Sequence, residues 1–348
     1  MKTREAKKQK RSSVILSEAT DGINKVRLIG SARAEGEEEA CPWEEIDAYS
    51  GRFAVAGYRY SVTGDISDNN HPWLAYSTDG GKTWARSETT AATDQPHGLL
   101  YALTYGAGRF VVAGYRYGTD NYHPWIAYSI DGGKTWKGSK TTTEASQPHG
   151  CLRALTYGGG RFVVAGFRYG TTGDTSDNYH PWIAYSTDGG ETWIGSKTTT
   201  EAGQPHGQLH ALTYGGGRFV VAGYRNETNN YRPWIAYSTD GGETWIKSET
   251  TANESQSHGF LYALTYGGGR FVVAGYRNET TGGDTSDNYH PWLAYSTDGG
   301  KTWTKSETTA ATSQPHGRLW ALTYAPDSYC WKFGTENEET AEEAEEAS

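Results

Sequence analysis

Three side chains recur once per repeat in this chain, and together they could hold a polar ligand. His97, His149, His206, His258 and His316 each follow a Gln-Pro or Gln-Ser pair. Arg59, Arg116, Arg168, Arg225 and Arg277 each lie a few residues beyond a Gly-Arg-Phe, and Trp73, Trp125, Trp182, Trp234 and Trp292 each follow a proline. Neutral imidazole offers one donor and one acceptor, guanidinium grips a carboxylate through two parallel bonds, and an indole face can stack on a sugar ring. Each type also has a structural use. Histidine can anchor a loop to main chain, arginine can pair with a loop acid, and tryptophan can seal neighbouring sheets. Residue types alone leave both uses open.

A second set carries carboxylates. The octamer STDGGKTW at 77–84 returns almost unchanged at 129, 186, 238 and 296, placing Asp79, Asp131, Asp188, Asp240 and Asp298. Its spacing reads as a turn: the Asp accepts from main-chain N–H groups, Gly80 and Gly81 take positive φ, and the closing tryptophan is buried between sheets. Those tryptophans are Trp84, Trp136, Trp193, Trp245 and Trp303. The five aspartates are therefore read as structural, and no catalytic residue, cofactor or metal is assigned. GDTSDN at 173–178 and 283–288 has oxygens at calcium-like spacing but lacks the later bidentate glutamate. NET at 226 and 278 and NES at 253 are glycosylation sequons on paper.

The elements that position these residues follow from the period. Gly-Arg-Phe recurs at 51, 108, 160, 217 and 269, so long and short units alternate, the extra residues lying in loops such as the one between Arg168 and His180. Within 99–146, four short runs, LLYALTYG, RFVVAGYR, PWIAYS and KTWKGSK, are bounded by turn residues. Four strands in a unit of this size predict one blade of an all-β propeller. Repeats are expected near 44–94, 99–146, 152–203, 209–255 and 261–313. RLWALTYAPDSYCWKFG at 318–334 resembles the first two strands of a unit, and 13–30 resembles a worn copy of the last two. The expectation is a six-bladed propeller of four-stranded antiparallel blades over 13–334, its sixth blade shared by the two ends. Pairing the ends would remove open sheet edges.

The pattern Ser77, Asp79, Gly81, Thr83, Trp84 resembles the Asp-box, or BNR repeat, and the resemblance covers nearly all of the chain outside its tails. It implies the sialidase-like β-propeller superfamily, with the box on a hairpin turn between third and fourth strands, away from the face that meets ligands. That face would carry the long loops bearing the repeated His, Arg and Trp. A sialidase activity is the enzyme that the resemblance implies, yet the Arg-Ile-Pro motif expected early in sialidases is missing, the nearest string being Arg27-Leu28-Ile29. Hydrolysis also needs a unique acid and nucleophile, whereas the acids outside the tails recur from blade to blade. The reading preferred is a non-catalytic, multivalent binder of a glycan; a sialidase-like hydrolase and a protein-binding scaffold, as in photosystem II assembly factors with similar boxes, are the alternatives.

Composition narrows the partners. The net charge is -9, with a basic run in 1–12 and an acidic one in 335–348, both read as disordered tails. No basic stripe points to nucleic acid. No apolar run reaches the length of a membrane span and no secretory leader is visible, so the expectation is a soluble, by default cytoplasmic protein, although relatives of this fold often act outside the cell. Cys41, Cys151 and Cys330 form neither a disulfide framework nor a zinc spacing.

Overall fold

The computed structural model describes residues 13–20, 25–31, 51–60, 70–89, 97–117, 122–141, 149–169, 179–198, 206–227, 230–250, 258–278, 289–306 and 317–325. Among these every regular element is a strand. Four blades have the expected antiparallel order. Blade 2 is built from Gly98–Gly106, Arg109–Tyr117, Tyr122–Ser129 and Thr135–Gly138. Blade 3 is built from Gly150–Gly158, Arg161–Tyr169, Tyr179–Ser186 and Thr192–Gly195. Blade 4 comprises His206–Gly215, Arg218–Glu227, Asn230–Ser238 and Thr244–Lys247. Blade 5 comprises His258–Gly267, Arg270–Asn278, Tyr289–Ser296 and Thr302–Lys305. Blade 1 shows three strands, Phe53–Tyr60, Asn70–Ser77 and Ala85–Arg86; its expected first strand lies outside the described residues.

Alternation along the second strand explains how blades stack. Val111 and Ala113 join a cluster with Leu152, Phe162 and Trp193 of blade 3, whereas Val112 joins Leu74 of blade 1. Successive side chains point to opposite faces of a strand, so RFVVAGYR buries both faces and reads as continuously apolar. First strands of neighbouring blades lie side by side, which makes them the innermost layer.

The blades carry one strand more than the repeat predicts. After its fourth strand each chain segment crosses to the next blade, where Glu88–Thr89 pairs in parallel with Thr135–Trp136, and Lys140–Thr141, Lys197–Thr198 and Glu249–Thr250 repeat the step. A serine fixes the crossing: Ser87 Oγ donates to the Gly133 carbonyl at 2.5 Å, and Ser139, Ser196 and Ser248 do the same to Gly190, Gly242 and Gly300.

The ends depart from expectation in part. Ser13–Thr20 and Lys25–Ser31 form the antiparallel hairpin expected of a third and fourth strand, but among the described residues they pair with no other sheet. Residues 317–325 join no ladder, although Leu319 N–H donates to the Gly275 carbonyl at 3.3 Å. This segment nevertheless holds the place of a further first strand. A Cβ on Gly215 would lie 2.0 Å from the Tyr266 ring, and a Cβ on Gly267 would lie 2.0 Å from Tyr324. The same tyrosine covers the same glycine. The two tails, 1–12 and 335–348, lie outside the described residues.

Candidate functional site

The octamer closes on itself. In blade 2 Ser129 Oγ donates to Asp131 Oδ1 at 2.8 Å and accepts from Gly133 N–H at 2.8 Å. Thr135 gives its N–H to Oδ1 at 2.9 Å and its hydroxyl to Oδ2 at 2.6 Å, and Trp136 Nε1 donates to the Gly133 carbonyl at 3.1 Å. Gly132 and Gly133 hold φ of 76° and 88°, a region that L side chains avoid. Hydrogen bonds from Thr83 hydroxyl and main chain hold Asp79 down to about 2. Burial pushes Asp298 up, but bonds from Thr302 and Ser296 outweigh it and set it at about 2 as well. Each carboxylate is thus held ionised by its own turn.

The box also touches its neighbour. Arg109 of blade 2 reaches the Asp188 carbonyl and Glu191, and Arg161 reaches the Asp240 carbonyl and Glu243. Arg52 bonds the Asp131 carbonyl in the same way. Gly-rich turns and boxes therefore share one face, as the strand order predicts.

Burial of the box tryptophans holds for four and fails for one. Trp136, Trp193, Trp245 and Trp303 are 1–2% exposed, whereas Trp84 is 47% exposed. Each buried ring packs on the blade before it, Trp193 beside Val111 and Trp245 beside Val163. Among the described residues nothing stands in that place for Trp84.

On the opposite face the repeated histidines meet partners that the repeat pattern did not single out. His71 and His97 have ring centroids 4.5 Å apart, His123 and His149 4.7 Å, and His180 and His206 4.7 Å. Each pair joins the third strand of one blade to the start of the next. The main chain explains the placement: the His97 carbonyl accepts from Tyr117 N–H at 2.6 Å and His149 from Tyr169 at 2.7 Å, pinning the entrance of each first strand. Arginine completes the group, because Arg59 lies across the ladder from His71, Arg116 from His123 and Arg168 from His180. Burial, then His97, then Arg59 hold the His71 imidazole below its ordinary range. Arg225 faces Arg232 and Arg277 faces His290 at the next two junctions. His258 opens its strand, and His316 lies outside the described residues, as do both GDTSDN loops. The histidine of each His-Pro-Trp was visible in the repeat; its contact with the following unit was not, because nothing local encodes an inter-blade distance.

The proline-linked tryptophans stand across from glycines, Trp125 from Gly114, Trp182 from Gly166 and Trp292 from Gly275. Trp234 is 4% exposed within the core, while Trp125, Trp182 and Trp292 pack partly buried against it. Trp73, in blade 1, is 36% exposed. The junction face therefore gathers arginine and histidine side chains, with indoles set deeper. Among the described residues no helix is long and apolar enough to cross a membrane.

A family model described as BNR repeat-like domain matches residues 167–327, and one described as BNR/Asp-box repeat matches 75–86 and 127–137. A curated sialidase of Bacteroides fragilis (strain YCH46) is 25% identical over 292 residues, 72% of this chain and 51% of that protein. A sialidase of Paraclostridium sordellii is 26% identical over 251 residues, 62% of this chain and 60% of that protein. Among solved structures, Trypanosoma rangeli sialidase in complex with sialic acid is similar at 16% identity and a TM-score of 0.40, over 70% of this chain and 44% of that one. The chain spans 51% and 60% of the lengths of these two curated relatives.

Proposed function

Since the chain is an Asp-box (BNR) repeat protein of the sialidase-like β-propeller superfamily, we propose that it binds an acidic glycan, without hydrolysing it, through equivalent clefts at its blade junctions. One observation carries this reading: the Arg–His–His group recurs with ring separations of 4.5, 4.7 and 4.7 Å. Repeated identical sites suit a ligand that repeats, and several weak contacts on one polymer bind far more tightly than any one alone. Guanidinium and imidazole N–H groups are donors, so the complementary ligand carries carboxylate or sulfate oxygens. The curated relatives named sialidase support a sugar as the carrier.

A glycan array of the purified protein, followed by calorimetry on any hit, tests the proposal. Acidic glycans bound at several equivalent sites per chain, with loss on Arg116→Ala or His123→Ala, support it. A second reading, a sialidase-like hydrolase, is favoured by the names of the same relatives and requires one unique acid and nucleophile pair. Turnover of a fluorogenic sialoside would establish it in place of the first. Neither binding nor turnover would leave a protein-binding scaffold.

A further inference from the structure

The repeats stop repeating on the innermost strand. Each reads His-Gly-x-Leu-x-Ala-Leu-Thr-Tyr, with Leu99, Cys151, Gln208, Phe260 and Arg318 at the first variable place and Tyr101, Arg153, His210, Tyr262 and Trp320 at the second. In blades 2 to 5 the second variable residue is also the one that the ladder skips, the register jumping between Leu100 and Ala102, Leu152 and Ala154, Leu209 and Ala211, and Leu261 and Ala263. A bulge bends its strand and re-aims the extra side chain. Three of the four neighbouring pairs in this set touch. The Arg153 guanidinium lies 5.1 Å over the Tyr101 ring, the His210 ring is 5.3 Å from Tyr262, and Tyr262 stacks on Trp320 at 4.2 Å. Burial, with the charge of Arg153 beside it, pushes the His210 imidazole down to about 3. The result is one asymmetric arc per chain, where every junction cleft comes in copies.

The arc holds unmet polar demand. Among the described residues Arg153 Nε and His210 Nε2 are buried without a hydrogen-bond partner, and Arg153 is set against the faces of Tyr101 and Phe167 with no carboxylate paired to it. A buried guanidinium N–H and a buried ring nitrogen left so are costly, and one oxyanion would satisfy both. A ring face remains open beside Arg153, since Tyr101 is 44% exposed. The Tyr101 oxygen already accepts from Tyr115, and the Tyr262 oxygen from Tyr276 and Arg318, so a ligand rich in hydroxyls finds few free acceptors here. We infer that the arc is a separate site, one per chain, for an aromatic carboxylate: Arg153 and His210 take the carboxylate, and Tyr101 takes the ring.

Titration calorimetry with benzoate and 4-hydroxybenzoate tests this, with benzyl alcohol and N-acetylneuraminate alongside. The expected result is one benzoate per chain and little response to either control. Arg153→Tyr and His210→Tyr install the residue that Tyr101 and Tyr262 already place at the same position, so the fold has room for both. Each should weaken benzoate about tenfold or more at an unchanged melting temperature, and the second variant decides if the first does not fold. His123→Ala should leave benzoate binding intact, which separates failure here from failure of the junction clefts. Absence of benzoate binding, several molecules per chain, equal binding of benzyl alcohol, preference for N-acetylneuraminate, or full affinity in the folded variants would overturn the inference.

Discussion

Arg109 in the Gly-rich turn of blade 2 donates to Glu191 in the Asp-box of blade 3 at 2.7 Å, and Arg161 repeats the contact with Glu243 one blade on. At the following junction the box residue is Lys301, and Arg218 turns to the carbonyls of Asp298 and Gly299. One letter of the octamer therefore decides whether a junction has an ion pair.

Lys301→Glu should supply the missing pair to Arg218. Both partners of the existing pairs are partly exposed, at 26% and 48% for Arg109 and Glu191, so the gain is about 0.2–1 kcal/mol. It should vanish in about 1 M salt, where charges more than a few ångströms apart are screened. Urea unfolding at low and high salt measures both; a gain that persists in salt would argue against an ionic cause.

Two chemically identical changes should differ in cost. Trp193→Ala empties a site that is 1% exposed between blades and should cost about 3–5 kcal/mol. Trp84→Ala removes a ring that is 47% exposed and should cost about 1 kcal/mol or less. Shifts in the denaturation midpoint of the two variants compare them directly. Equal losses would mean that Trp84 is covered by residues of the chain outside those described.

Gly267→Ala should free the segment 317–325. A Cβ there meets the Tyr324 ring at 2.0 Å, so the ring must leave. Limited proteolysis should then cut near Tyr324 faster than in the parent, while Gly51→Ala, with nothing within 4 Å, should change nothing.

Blade architecture was legible because each local signal agreed with its neighbours: RFVVAGYR reads as a strand buried on both faces, and the octamer carries its own turn chemistry from Ser129 to Trp136. What stayed hidden lies between repeats. The pairing of His123 with His149, the crossing strand fixed by Ser87, and the contacts of Arg153 with Tyr101 and of His210 with Tyr262 all depend on how one unit sits against the next. The arc had a signal nonetheless. In a chain whose copies match nearly letter for letter, the two letters flanking the leucine of the first strand differ in almost every copy, and attention to what repeats passes over what does not. The fate of Trp84 had none, because its octamer is spelled like the others.

The Asp-boxes should set the acid limit of the fold. Asp79 and Asp298 are held at about 2 against an ordinary 3.8. A carboxyl whose folded pKa is depressed adds stability that is fully present above the unfolded value and is lost as pH falls through the folded one. Melting temperature should therefore be flat above about pH 5 as far as these groups are concerned, fall below that, and level off only near about pH 1. Asp298→Asn should lower the plateau and shallow the slope, because the amide keeps part of the turn but none of the titration.

His71 should give the opposite sign for fold and for ligand. His71 is held below its ordinary 6.5 by burial, by His97 and by Arg59. The free protein keeps that stability above 6.5 and loses it as pH falls toward the lowered value, since the unfolded chain takes the proton first. An acidic glycan beside the imidazole reverses the balance by favouring the charged form. Binding then takes up protons, and affinity should rise as pH drops from about 7.5 to about 5.5 while the melting temperature of the free protein declines. Calorimetry in two buffers of different ionisation enthalpy would register the uptake. His71→Gln keeps a donor but cannot titrate, so it should flatten its share of the pH dependence while leaving binding at pH 7.5 nearly unchanged; an unaltered pH profile in that variant would place the proton elsewhere.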